Sequence, residues 1–300
     1  MVFNHPIGVR FPVGPPINGM KLLRIGKLNQ EKPAFIDADG ITRDLSSIIQ
    51  DLNAETINQN TLELINKTDL SKLPKLSENL RIGACVSNSQ KFIGIGLNYT
   101  DHAEETGMTI PNEPIIFIKA NSCISGPNDN VLLPKKSKKT DWEIELGIVI
   151  GKKAQYISED KSFDHIFGYC IVNDISEREF QIERSGQWDK GKGCDTFGPI
   201  GPYLVTKDEI KEVQNLSLEL KLNGEIMQKG NTNKMIFDVK HLVSYLSHFM
   251  TLYPGDIITT GTPSGVGMAK KPQIFLKNGD KMMLKIDGLG FQKQTVVLNQ

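Results

Sequence analysis

The chain has 300 residues and a mass of 33.4 kDa, enough to bury a sizeable core in one large domain or a large one with a small companion. Lys plus Arg and Asp plus Glu each number 35, a balance that gives no sign of a general electrostatic affinity for nucleic acid or an anionic membrane surface. No apolar run is long enough to span a bilayer, and Cys85, Cys123, Cys170 and Cys194 form no C-x-x-C pair, which argues against zinc and fits a reduced chain.

Residues 1–19 are broken by Pro6, Pro12, Pro15 and Pro16 and lack the apolar core of a secretory signal. They read as an extension, and the expected location is the cytoplasm. From Met20 the pattern predicts strand, turn, strand and helix: "KLLRIG", "PAFID" running into the turn at Asp39 and Gly40, then "DLSSIIQDL" with helical spacing. A polar stretch from Asn53 to about Asn79 holds a small helical piece and a linker, so residues 20–80 are expected to form a small N-terminal domain with its boundary near Leu80.

Residues 81–300 read mostly as short strands: "KFIGIGLNY", "PIIFIKA", "EIELGIVIG", "IFGYCIVNDI", "GDIITTG" and "KMMLKIDG". Leu216, Leu218, Leu220 and Leu222 alternate ahead of Asn223-Gly224, a strong hairpin signal. Two helices interrupt the strands. "SEREFQIERSG" opens with the capping-box pair Ser176 and Glu179, and "KHLVSYLSHFM" puts Leu242, Tyr245, Leu246 and Phe249 on one face. The expected class is a mostly β, α+β fold built on a β-rich sheet or roll.

The stretch "DWEIELGIVIG" from Asp141 places Glu143 and Glu145 two apart, hence on one face of a strand. Alone, such a pair is an ordinary solvated edge. The apolar "LGIVIG" that follows instead reads as a strand covered on both faces, where bare carboxylates are costly. Asp174 ends the next strand-like run; if the strands are neighbours, three carboxylates converge. Oxygen donors without Cys or His suit Mg²⁺, Mn²⁺ or Ca²⁺ rather than zinc. A helix-capping role for Asp174 is the rival, weakened because Ser176 already fills the cap position.

In "GLNYTDHAEETG", Asp101 and Glu104 have capping-box spacing and Gly107 can end a very short helix. His102 and Glu105 then share a face, as a carboxylate orienting a general base would, or as a plain surface ion pair. His5, His165, His241 and His248 offer less. Neither "GIGLNY" nor "GTPSGVGMAK" completes a nucleotide fingerprint, although Gly261 to Gly267 can present backbone N–H groups to a carboxylate. Lys192, between glycines, is a candidate cation for the same anion or an ordinary surface lysine.

Taken together, "GLNYTDHAEE", "PIIFIKA", "EIELGIVIG", "GYCIVNDISEREFQ", "KGKGCDTFGPIGP", "LNGEIMQKGNT" and "PGDIITTGTPSGVG" resemble the fumarylacetoacetate hydrolase family from about Lys91 onward. The small N-terminal domain resembles that of bacterial members named ureidoglycolate lyase or 2,4-diketo-3-deoxy-L-fuconate hydrolase. The resemblance implies a mixed β-roll core, homodimers, and a Mg²⁺ or Mn²⁺ site made by Glu143, Glu145 and Asp174. It further implies His102 and Glu105 as a catalytic dyad on a closing loop, Lys192 facing the substrate's oxo-acid end, and Lys119, Arg178, Gln181 and Thr262 near the substrate. The implied activity is metal-dependent cleavage of a carbon-carbon bond in a 2,4-dioxo or related 2-oxo acid, releasing pyruvate. A ureidoglycolate lyase acting on a 2-hydroxy acid, an oxaloacetate decarboxylase and a non-catalytic metal-binding module stay open. Glu177 and Gly193-Cys194 depart from the family's usual Ala and Ser-Phe, which bears on substrate preference.

Overall fold

The computed structural model describes residues 19–77 and 79–299, so the extension of residues 1–19 lies, apart from Gly19, outside the described residues. The fold is α+β and mostly strand. A ten-stranded sheet runs in the spatial order Thr42–Asp44, Lys32–Ile36, Lys21–Ile25, Gly198–Thr206, Ile166–Asn173, Ile144–Ile150, Ile257–Thr259, Phe92–Gly96 and Ile115–Lys119. The short strand Ile124–Ser125 adds to Gly198–Thr206 in parallel. Ile144–Ile150 sits in the middle with every residue buried, as its unbroken apolar run requires. Its neighbours Ile166–Asn173 and Ile257–Thr259 are both antiparallel to it.

A second sheet of five strands, in the order Glu225–Asn231, Ser217–Leu222, Lys281–Ile286, Gly290–Leu298 and Val131–Leu133, packs against these central strands. Buried glutamines join the layers. Gln292 Nε2 donates to the carbonyls of Ile171, Pro199 and Gly201, and Gln228 accepts from Ile144 N–H at 3.0 Å. Such bonds satisfy strand groups that the ladders leave free. The two sheets form the mixed roll, and the Asn223-Gly224 turn closes its outer hairpin with both residues at positive φ.

Strand Lys21–Ile25 pairs antiparallel with Gly198–Thr206, so residues 20–44 complete one edge of the larger sheet. The helix expected over "DLSSIIQDL" is absent. Leu45, Ile49 and Leu52 are buried at helical spacing, but only one turn forms, with Ile49 N–H on the Leu45 carbonyl at 3.0 Å. Asp51 then turns aside to hold Arg24 and Ser87. Tertiary ion pairing thus overrides a segment already weak in helix formers. The regular helix in this region is Gln59–Asn66, capped by Asn58.

The helix Val239–Phe249 forms, but its inner face is Val239, Leu242, Val243 and Leu246. Phe249, expected inside, is 62% exposed, and Tyr245 bonds Glu113 at 2.6 Å. The smaller Val239 and Val243, one step round the helix, take the inner positions instead of the aromatic side chains.

Candidate active site

The antiparallel register of Ile144–Ile150 and Ile166–Asn173 sets Val172 opposite Glu145 and Asn173 opposite Ile144, and Asp174 N–H bonds the Glu143 carbonyl at 2.9 Å. The strand ends therefore deliver Glu143, Glu145 and Asp174 to one point, each offering an oxygen within 4.8 Å of the others. All three are buried. The expected convergence holds, but the reason that released Asp174 from capping does not. Ser176 lies in the short strand Ser176–Glu177, paired with Thr140–Asp141, and its hydroxyl bonds the Asp174 carbonyl. The following turn, Glu179–Glu183, is wide-pitched and has no side-chain cap.

Buried positive charge balances most of this acid. Lys192 Nζ lies 2.5 Å from Glu143 Oε2 and 2.6 Å from Asp174 Oδ2. Lys119, fully buried, donates to Asp174 Oδ1 at 2.6 Å and to the Lys192 carbonyl. Arg178 spreads across Asp141, Gln181 and Glu143. Burial alone would push the Glu143 carboxyl up, but the Lys192 and Arg178 charges outweigh it and hold the group well below the usual carboxylate range. Glu145 differs. Burial, Asp174 and Glu143 push it well up, and its hydrogen bonds, from Thr259 Oγ1 and Gly261 N–H, both fall on Oε2. Its Oε1 accepts no such bond among the described residues and, beside two more carboxylates, is the kind of donor a cation takes. Three hard oxygen donors fit Mg²⁺ or Mn²⁺.

The opposite wall is the helix Thr100–Thr106, ended by Gly107 at φ 67°. The capping box expected from Asp101 and Glu104 is not made: Tyr99 occupies the cap and Asp101 sits in the first turn. His102 Nδ1 faces Glu105 Oε2 at 3.4 Å, and Glu105 is itself held by Gly265 N–H at 2.9 Å. The glycine-rich loop does cradle carboxylates, and they are the protein's own. Gly261 N–H serves Glu145, Gly265 N–H serves Glu105, and the N–H groups of Gly267 and Met268 serve Asp141 at 2.7 and 3.0 Å. One loop thereby ties the acidic floor to the histidine wall.

Floor and wall enclose a cavity of about 340 Å³. Glu143, Glu145, Arg178, Gln181, Lys192, His102 and Thr262 line it, whereas Glu105, Asp174 and Lys119 stand behind that lining and orient it. Thr262 Oγ1 is engaged with the Ile144 carbonyl and Gln228. Glu177, the departure from the family pattern, does not line the cavity. It is buried and accepts from Ser137, Thr140 and the Lys139 N–H, fixing the loop before the acidic strand.

Two residues of the site escaped the sequence reading. Asp141 shares the parity of Glu143 and Glu145, so the alternation that singled out the pair extends to it. Trp188 stands four residues before Lys192, and the backbone bond from Lys192 N–H to the Trp188 carbonyl puts both on one turn at the cavity.

Residues 91–297 match the family model described as fumarylacetoacetate (FAA) hydrolase C-terminal. A Burkholderia cenocepacia protein with a provisional hydrolase name is 56% identical over 277 residues, 92% of this chain and 98% of the relative. The structure of fumarylacetoacetate hydrolase from Exiguobacterium antarcticum is 32% identical with a TM-score of 0.84, over 93% of this chain and 100% of that one. Maleylpyruvate hydrolase from Sphingobium sp. SYK-6, in complex with manganese(II) and pyruvate, is 28% identical with a TM-score of 0.79, over 94% of this chain and 100% of that one.

Proposed function

This chain belongs to the fumarylacetoacetate hydrolase family, and from that premise we propose that it is a divalent-metal-dependent hydrolase that breaks a carbon-carbon bond in an acylpyruvate or related 2-oxo acid, such as a diketo-deoxy sugar acid, and releases pyruvate. The observation that carries the reading is the buried triad Glu143, Glu145 and Asp174 facing the His102–Glu105 pair across one cavity. Glu143, Glu145 and Asp174 would hold Mg²⁺ or Mn²⁺, and the ion would supply Lewis-acid stabilisation of negative charge on the substrate.

The chain's own groups do the rest. With Nδ1 turned to Glu105, His102 keeps Nε2 free to take a proton from water. The water oxygen adds to the carbonyl distal to the carboxylate, and the bond from that carbon to the methylene breaks. The electron pair stays on the methylene carbon as the enolate of pyruvate, where the Lys192 ammonium offers positive charge. Return of the proton from His102 to that carbon completes R–CO–CH₂–CO–COO⁻ plus water to R–COOH plus pyruvate. Arg178, Gln181 and Thr262 shape the substrate's seat, and Lys119 acts through Asp174 and Lys192.

The test is pyruvate release from acylpyruvates by the purified chain with Mg²⁺. Loss of release on chelation and in Glu143→Gln is the expected result. Glyoxylate from ureidoglycolate, or oxaloacetate turnover undiminished by His102→Ala, would replace the hydrolase by a lyase or a decarboxylase. Metal that raises thermal stability without any turnover would reduce the cluster to a structural module. Two copies pair in this reading, and a monomer by light scattering would remove that part.

A further inference from the structure

We infer that the group beyond the scissile bond is uncharged and apolar: an alkyl or aryl acyl chain, not one ending in a second carboxylate. The inference rests on the acylpyruvate reading and narrows its substrate class. The cavity is strongly two-sided. Its charged groups gather at the triad, while Ile95, Leu97, Met108, Ile182, Trp188 and Met268 supply most of the remaining wall, with Gly96 and the uncharged Thr106, Gln181 and Thr262 beside them. The cations among the described lining residues, Arg178 and Lys192, both stand at the acidic floor, Arg178 on Asp141, Gln181 and Glu143 and Lys192 on Glu143 and Asp174, where they serve the 2-oxo-acid end rather than the acyl end. His102 is turned to Glu105. A second carboxylate pressed against the six apolar side chains would lose its water and find no partner, a heavily disfavoured state.

The apolar wall is built rather than incidental. A side chain at Gly96 would begin 2.4 Å from the Trp188 ring, so glycine there is what admits the indole. Phe117 braces the same ring at a centroid distance of 5.7 Å. At the mouth, Met108 and Ile182 are each 48% exposed, apolar surface that a bound acyl chain covers. Methionine adapts to chains of different shape, so the pocket accepts apolar chains of more than one length.

Matched pairs test this in the Mg²⁺-loaded full chain. By calorimetric titration, 2-oxohexanoate is expected to bind at least about tenfold more tightly than 2-oxoadipate, which differs by a terminal carboxylate for a methyl. In turnover, butanoylpyruvate should exceed succinylpyruvate in kcat/KM by a similar factor, and each buried methylene from acetyl to hexanoyl should add about three- to fourfold. Ile182→Arg, at a half-exposed position, should narrow the gap within each pair. Equal or tighter binding of 2-oxoadipate, or succinylpyruvate as the better substrate, overturns the inference and leaves the hydrolase reading standing. A preference for 2-oxohexanoate with no acylpyruvate turned over supports the pocket inference and removes the hydrolase reading instead.

Discussion

The floor of the cavity and its helical wall hold charge in opposite ways. On the floor, Asp141, Glu143, Glu145 and Asp174, on or beside the Ile144–Ile150 and Ile166–Asn173 strands, are interleaved with Lys119, Arg178 and Lys192 from other elements, all buried. On the wall, one His102–Glu105 pair, with side chains 12% and 21% exposed, rests on a single backbone N–H of Gly265. The floor is a run of five ion pairs, from Lys119 through Asp174, Lys192, Glu143 and Arg178 to Asp141, so it resists rearrangement. The wall is a short helix with a local tether, so it can part from the loop without disturbing the sheet. The division suits a reaction that needs a rigid seat for a cation and a movable group that delivers a proton acceptor.

Removing a buried cation should break the floor as a unit. Lys119→Met keeps the side-chain stem and deletes the charge, which leaves Asp174 Oδ1 buried opposite nothing. A destabilisation of about 3–5 kcal/mol is expected, read as a lowered urea midpoint in chelator. An unchanged midpoint would show that the floor charges are not interlocked. His102→Ala should separate the regions in the other sense. Loss of a general base lowers kcat by about 10²- to 10⁴-fold, while the same urea midpoint stays close to wild type because the side chain carries little of the packing. A His102→Ala variant that unfolds as easily as Lys119→Met would erase the distinction.

The two regions also differed in how far they could be read from sequence. The floor was legible because strand periodicity is strict: residues two apart share a face, and an apolar run flags burial on both sides. Glu143, Glu145 and Asp174 follow from that and from one assumption, that the strands are neighbours. The partners of the floor were only partly legible: Lys192 stood out between its glycines, but as a cation for a bound anion rather than for Glu143 and Asp174. Nothing local marks Lys119 as a residue that meets Asp174 from 55 positions away, and the Gly265–Glu105 bond spans 160. Helical expectations failed at "DLSSIIQDL", where tertiary bonds competed, and at both proposed capping boxes, where the cap position falls two residues away from the expected one, at Tyr99 and Arg178. The apolar wall was hidden for a different reason: Ile95, Leu97, Trp188 and Met268 read as ordinary core until the loops that expose them are placed.

A smaller effect probes the tether between the regions. Gly265 has φ +107°, and a Cβ there would lie 2.0 Å from the Met227 carbonyl oxygen. Gly265→Ala must therefore move the loop and withdraw its N–H from Glu105, at a cost of about 1–3 kcal/mol. Its kcat should fall less than in His102→Ala. The double variant should be no slower than His102→Ala alone if the loop acts through the histidine, a coupling that a double-mutant cycle measures directly. Multiplicative losses would mean that Gly265 serves the floor instead.

The smallest expected effect is the pH dependence of the tether. Burial pushes the Glu105 carboxyl up, but the hydrogen bonds from His102 and Gly265 outweigh it and hold the group below its ordinary value. A carboxyl depressed in the folded state contributes stability above its unfolded value, about 4.3, and that contribution disappears as the pH falls through the folded value. Because the pair is partly open to solvent, its worth is well under about 1 kcal/mol. Glu105→Gln should therefore lower the urea midpoint slightly at neutral pH and converge with wild type in acid, where the wild-type carboxyl is also neutral. Curves that stay parallel down to about pH 3 would show that the tether depends on shape rather than charge. The floor would then be the only part of the site held by electrostatics, and opening of the wall would be insensitive to mild acid.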